Sequence, residues 1–118
     1  MKIATLVVLA LVIGSAVAEE QVPACKRNPE IVAPCFTVYG RLSFWNGAPS
    51  ARIWRVGTNR MLGVHSDILP KGIQEKMRDF DTELWGHFEV CPFTKEQPGH
   101  MQFVCIEAWR NVRVRQRE

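Results

Sequence analysis

The chain has none of the short motifs that mark the common catalytic or nucleotide-binding chemistries. Ser43, Ser50 and Ser66 lie in no Gly-x-Ser-x-Gly elbow, so the strained turn that exposes a hydrolase serine is missing. No phosphate loop, dinucleotide fingerprint or haem-attachment motif occurs. The cysteines lack the short spacing of structural zinc knuckles, because nine residues separate Cys25 from Cys35 and thirteen separate Cys91 from Cys105. No internal repeat or low-complexity tract divides the chain, and helical spacing appears once. After Pro70, Ile73, Met77 and Phe80 recur at intervals of four and three, which predicts one short helix within residues 70–80.

What is present begins with an export signal. Lys2 supplies a positive start, residues 3–13 are apolar except for Thr5, and Ala16-Val17-Ala18 has the small-x-small pattern of a signal-peptidase site. Cleavage is expected after Ala18. The apolar run is too short to span a bilayer and meets Glu19 and Glu20 at once, so no retained membrane segment is expected. Val22-Pro23-Ala24-Cys25 sits beyond those acids, which argues against a lipid-modified cysteine. A periplasmic or secreted location is oxidising, and it turns the four cysteines into disulfide candidates.

The remaining 100 of 118 residues suit a single domain, residues 19–118. The net charge of +3 falls by one with Lys2, yet the excess is uneven: Arg110, Arg113, Arg115 and Arg117 crowd the C-terminus. Such a cluster could attract an anionic partner or a lipid headgroup; the favoured reading is a solvated last strand with a frayed end. With no recognition motif in an exported chain, nucleic acid is not an expected partner.

Prolines 23, 29 and 34 deny residues 19–34 ladder hydrogen bonds, so they read as an irregular arm tied down by cysteine. Period-two alternation then marks strands. Phe36, Val38, Leu42 and Phe44 alternate through residues 36–44, and Asn46-Gly47-Ala48-Pro49 turns the chain. Residues 52–56 and 60–65, joined by Gly57-Thr58-Asn59, form a hairpin. Residues 85–91 and 101–107 are the clearest strands, joined across 94–99, and Val112 and Val114 mark a sixth.

Phe88 and Val90 facing inward put His87, Glu89 and Cys91 outward, and Val104 and Ile106 inward put Cys105 outward too. A near-symmetric hairpin brings Cys91 opposite Cys105, so these two are expected to bond, leaving Cys25 to join Cys35. Four cysteines allow three pairings, and the other two stay open.

Two histidines stand two residues from a carboxylate, His65 with Asp67 and His87 with Glu89. On a strand that spacing puts both groups on one face, fit for a metal or an acid–base pair. Such pairs are common by chance, and solvated side chains are the favoured reading, with no catalytic residue, metal ligand or cofactor assigned. Trp45, Trp54, Trp85 and Trp109 share no simple periodicity; they either seal the ends of the core or offer a platform to a sugar or lipid. Aromatics and arginines carry most interface energy, and Trp45, Arg52, Trp54, Arg55 and Arg60 fall within a short span, so they are the expected binding residues. For Ile53 and Val56 both to be buried there, a bulge near Trp54 and Arg55 is required.

The steps Val38-Tyr39-Gly40 and Gly47-Ala48-Pro49, the strand 52–56, and Asp81-Thr82 before Gly86-His87-Phe88 resemble transthyretin-like and carboxypeptidase-regulatory-like β-sandwich domains. The resemblance covers about half of the mature chain and implies a fold only. The Tyr-Arg-Gly-Ser signature of hydroxyisourate hydrolases, which share the transthyretin fold, is missing from residues 112–118. The segments Cys35 to Val38, Gly57 to Val64 and Phe88 to Pro92 are also similar to a group of small exported bacterial proteins, a resemblance that implies one complete domain and supplies no activity. The expectation is an all-β, mostly antiparallel β-sandwich with one short helix and two disulfides. It is expected to act as a non-catalytic binding module for a protein or envelope component. A metal-dependent or hydrolytic enzyme using the His/carboxylate pairs and a carbohydrate or lipid binder using the tryptophans are the alternatives.

Overall fold

The structure is a computed structural model that describes residues 24–117; the export signal and its cleavage site lie outside them. Five strands carry the fold: β1 (Phe36–Phe44), β2 (Ala51–Arg55), β3 (Met61–Val64), β4 (Thr82–Pro92) and β5 (Gln102–Gln116). One helix, α1 (Lys71–Lys76), links β3 to β4, and single 3-10 turns cover Cys25–Arg27 and Ser66–Ile68. Among the described residues the all-β class, the single short helix and the two disulfides hold.

The strands close into one barrel in the order β1-β2-β3-β5-β4, where the sequence reading expected two packed sheets. Every pair is antiparallel except β3 with β5, which run parallel at Leu62–Gln102 and Gly63–Phe103. That parallel contact closes the sheet. A closed five-stranded sheet belongs to the small-barrel class that includes the OB-fold, and closure removes the exposed edges a sandwich keeps.

Alternation explains which side chains fill the barrel. Leu84, Gly86, Phe88 and Val90 of β4 are buried, while Glu83, Trp85, His87 and Glu89 between them are half-exposed. Val38, Leu42, Ile53, Leu62, Val64 and Val104 add to the core, and Leu69, Ile73 and Met77 reach it from the β3–β4 connection. The helix stops at Lys76, short of Phe80. Asp79 Oδ1 accepts hydrogen bonds from the Asp81 backbone N–H and Thr82 Oγ1, each at 2.9 Å, and this turn launches β4.

Six expected strands become five, because the segments around 101–107 and 112–114 are one strand. The last arginines are therefore not a frayed tail, since β5 stays paired with β4 through Gln116 opposite Thr82. Two register shifts make this possible, between Glu89 and Val90 and between Trp85 and His87. At the second, β4 advances from Trp85 to His87 while β5 runs from Arg113 back to Arg110, one residue more. Asn111 takes the extra step at φ 52°. Gly86 lets the bulge approach, because a Cβ there would lie 2.6 Å from Val112 Cγ1 and 3.0 Å from its Cα. The bulge expected in β2 does not exist: β1 and β2 pair without a shift, Ile53 is buried, Trp54 points out, and Val56 is only half-buried.

The disulfides are Cys25–Cys105 and Cys35–Cys91, with Cα separations of 5.7 and 4.1 Å. Cys91 does stand opposite Cys105 in the ladder, as parity and register require, yet the two do not bond. The arm crosses the outside of the barrel here, and each outward sulfur meets an arm cysteine instead. Val32 N–H donates to the Pro92 carbonyl at 3.0 Å and Lys26 N–H to Glu107 Oε2 at 2.8 Å, which fixes the arm on β4 and β5. Both ladder cysteines are buried beneath it.

Candidate binding face

Because β1 lies between β2 and β4, outward residues of four strands line up in rungs. Arg41 of β1 stands opposite Trp54 of β2 on one side and Trp85 of β4 on the other, and Trp85 in turn faces Arg113 of β5. The neighbouring rung is Arg52, Ser43, Glu83 and Arg115, and on the other side Tyr39, His87 and Arg110 follow. Strict alternation would put Arg110 on the opposite face from Arg113, Arg115 and Arg117. The bulge at Asn111 corrects the parity and gathers all four.

Aromatic rings hold these guanidiniums in place. Arg41 Cζ lies 4.9 Å from the Trp54 ring centre and 5.6 Å from that of Trp85, so one cation is flanked by two indoles. Arg115 lies 5.9 Å from the Trp85 ring, while Arg52 and Arg117 lie 5.7 and 5.3 Å from that of Trp45. Trp54 and Trp85 meet edge to face at 84° with centroids 6.1 Å apart, and Tyr39 packs beside both Trp85 and His87. Their indole N–H groups differ: Trp54 Nε1 donates to the Thr58 carbonyl at 2.7 Å and Trp45 Nε1 to Ser43 Oγ at 3.0 Å, whereas Trp85 Nε1 has no partner among the described residues.

Glu83 is the acid of this cluster. Its carboxylate lies 3.4 Å from Arg41 Nε and 3.8 Å from Arg117 Nε, and its side chain is 13% exposed. The Arg41 contact is close enough for ionic attraction but misaligned for a hydrogen bond, so Arg41 Nε also counts as unpartnered. With His87 Nδ1, the three buried side-chain polar atoms that lack a hydrogen-bond partner among the described residues all belong to this one face. Such groups are costly to leave unmet, and all three gather on one wall of the barrel.

Of the five residues expected to bind, Trp45, Arg52 and Trp54 belong to this face. Arg55 does not: it points the other way at the barrel end, its guanidinium 5.8 Å from the Phe36 ring. Arg60 lies on the β2–β3 turn, paired with Glu96 at 3.4 Å. Trp109 is also elsewhere, packed over Gly72 of α1 as part of the core wall. Arg41, Tyr39, Trp85, Arg110, Arg113, Arg115 and Arg117 also belong to the face and were not among those five. The outward parity that placed His87 also places Trp85, and an asparagine amid the C-terminal arginines signals a residue that tolerates positive φ.

The histidines do not converge. His65 stacks on Phe103 at 5.0 Å, and Asp67 sits in the following 3-10 turn rather than on a strand. His100 lies on the β4–β5 loop. His87 and Glu89 do share a face of β4 and line a hollow of about 290 Å³ with Thr37, Ala108, Trp109 and Arg110, but Glu89 is paired with Lys26 at 3.2 Å. Three sulfurs, those of Cys25, Cys91 and Cys105, lie within 4.8 Å of one another because two disulfides cross there, so they are not free thiolates. A second cleft of about 500 Å³ runs between the arm, α1 and β5, with Asp67, Lys71 and Glu107 around it.

No protein-family model, curated protein or solved structure matches the chain. No helix among the described residues is long and apolar enough to cross a membrane.

Proposed function

We propose that this is an exported, non-catalytic binding module of the periplasm or extracellular space, and that its contact surface is the arginine–aromatic face of β1, β2, β4 and β5. Support comes above all from Arg41, a cation seated between Trp54 and Trp85 on a wall that the arm leaves bare. Tryptophan and arginine are the residues that dominate binding hot spots, and here each orders the other before any partner arrives. The outer wall of β3 offers no such surface: a Cβ on Gly63 would meet Pro49, Met101 and Phe103 side chains at 2.7, 2.8 and 3.3 Å. Exported status rests on residues 1–18 together with the two disulfides, whose chemistry suits an oxidising compartment.

The alternative of a sugar platform made of tryptophan faces draws less support, because Trp54 and Trp85 are nearly perpendicular and guanidiniums occupy their rings. The enzyme reading draws less still, since the three histidines sit on separate elements. The test is retention of an envelope extract by the immobilised protein. Trp54→Ala should weaken retention by on the order of 1 to 3 kcal/mol while the far-UV spectrum stays unchanged. His65→Ala combined with Asp67→Asn, off this face, should leave it intact. Undiminished retention by a folded Trp54→Ala protein takes the face out of the function, and hydrolytic or metal-dependent turnover lost with His87 would replace this reading with the enzyme.

A further inference from the structure

Resting on that reading, we infer that the face binds a linear anionic polysaccharide, a sugar chain bearing carboxylate or sulfate groups at regular intervals. Charge points to a polyanion. Six guanidiniums, those of Arg41, Arg52, Arg110, Arg113, Arg115 and Arg117, share a face with two acids among the described residues. Glu83 is already held by Arg41 and Arg117, and Glu89 by Lys26 of the arm. Arg110, Arg113 and Arg115 have no carboxylate partner among the described residues.

Geometry points to a linear one. Arg113 and Arg115 are alternate residues of β5 and Arg117 follows its last residue, so they repeat about every 6 to 7 Å, and the Asn111 bulge adds Arg110 to make a row of roughly 20 Å. A guanidinium stacked on an indole keeps its in-plane N–H groups free, and those are the groups that grip carboxylate or sulfate oxygens in pairs. Arg115 lies over Trp85 in that way, and Arg117 lies over Trp45 with its Nε turned to Glu83.

The rings themselves argue against the other common polyanions. Single-stranded nucleic acid needs open aromatic faces on which bases stack, and here cations cover both Trp85 and Trp54. A lipid surface favours apolar side chains that project into it, and the most exposed aromatic of this face is Tyr39, at 40%. A sugar chain asks for neither, because its charged groups lie along its edges.

The test uses the exported protein with both disulfides formed, titrated calorimetrically with heparin for sulfate and polygalacturonate for carboxylate, with dextran as the neutral control. Either acidic polymer should bind, whichever of the two anions the site prefers, and dextran should not. Arg113→Gln with Arg115→Gln should weaken binding by on the order of tenfold or more and lower the slope of log affinity against log salt by about two. Arg115→Lys keeps the charge but loses the planar fork, and it should also weaken binding. These arginines are exposed on the last strand; if the double variant does not fold, Arg113→Gln alone carries the test.

Failure of both acidic polymers, undiminished binding by the folded variants, or tighter binding of an oligothymidylate or of phosphatidylglycerol vesicles overturns the inference. If the polymers fail while Trp54→Ala still abolishes retention of the envelope extract, the polysaccharide falls and the binding face stands. If Trp54→Ala also retains the extract fully, both fall.

Discussion

Cys91 and Cys105 point out of the barrel and are 0% and 5% exposed, yet a few residues along the same two strands Trp85 and Arg113 point out and are half-buried and exposed respectively. Strand parity assigns all four to the same wall. The difference lies in what crosses the wall. At the cysteine end the arm supplies two sulfurs, the Val32 and Lys26 N–H groups, and the Lys26 ammonium, and it turns outward positions into a second, small core. At the other end no chain crosses among the described residues, and the side chains cover one another, indole on guanidinium. A small barrel can therefore have its outer wall covered or left bare, and the choice is made by a segment remote in sequence.

The largest effect should come from breaking the staple. Replacing Cys25 and Cys105 together with alanine removes the bond that spans 80 residues and should cost about 2 to 5 kcal/mol in chemical denaturation. Hydrogen exchange should then quicken across the arm and leave the Trp54–Arg41–Trp85 rung unchanged; equal quickening of both would show that the two regions are one cooperative unit. Non-reducing peptide mapping should recover Cys25 with Cys105 and Cys35 with Cys91. A Cys91–Cys105 peptide would restore the simpler hairpin staple and remove the reason for the covered wall.

Gly86→Ala presses on the other region from inside. The added methyl has no room beside Val112, so a loss of about 1 to 3 kcal/mol is expected by denaturation, together with displacement of Arg110 and Arg113 from their row. A neutral substitution would mean that the bulge is more adaptable than its packing implies. Asn111→Val should cost about 1 to 2 kcal/mol, because a branched side chain resists the left-handed backbone, whereas Asn111→Gly should be tolerated. If both variants behave alike in thermal denaturation, Asn111 is not holding the turn.

The smallest change sits where the two regions meet. Lys26 and Glu89 form an ion pair whose side chains are 52% and 31% exposed, so Lys26→Ala should shift stability by less than about 1 kcal/mol. A larger loss would show that the arm relies on this charge and not on its disulfides.

The strand positions were legible because each depends on local alternation: residues 36–44 and the β2–β3 hairpin around Gly57-Thr58-Asn59 lie where their apolar residues and turn chemistry put them. The Cys91–Cys105 register was legible for the same reason. The helix was found but overextended, because Phe80 keeps helical spacing while Asp79 has already started the turn into β4. Half of the candidate face escaped notice. Trp45, Arg52 and Trp54 are neighbours along the chain, whereas Arg41, Trp85 and Arg113 join them only across β1, β4 and β5.

By itself the sequence determined the β-rich class, the inward and outward sides of most strands, the single short helix, and the involvement of cysteine in holding the arm. These follow from periodicity, turn residues and side-chain polarity, which act over a few positions. Only the tertiary structure decided that the sheet closes on itself, which sulfurs pair, and which arginines share a face. Closure depends on a parallel contact between β3 and β5, pairing depends on where the arm crosses, and the arginine row depends on one extra residue at Asn111. Each is a long-range choice among locally equivalent arrangements, settled by how the whole chain buries its apolar surface.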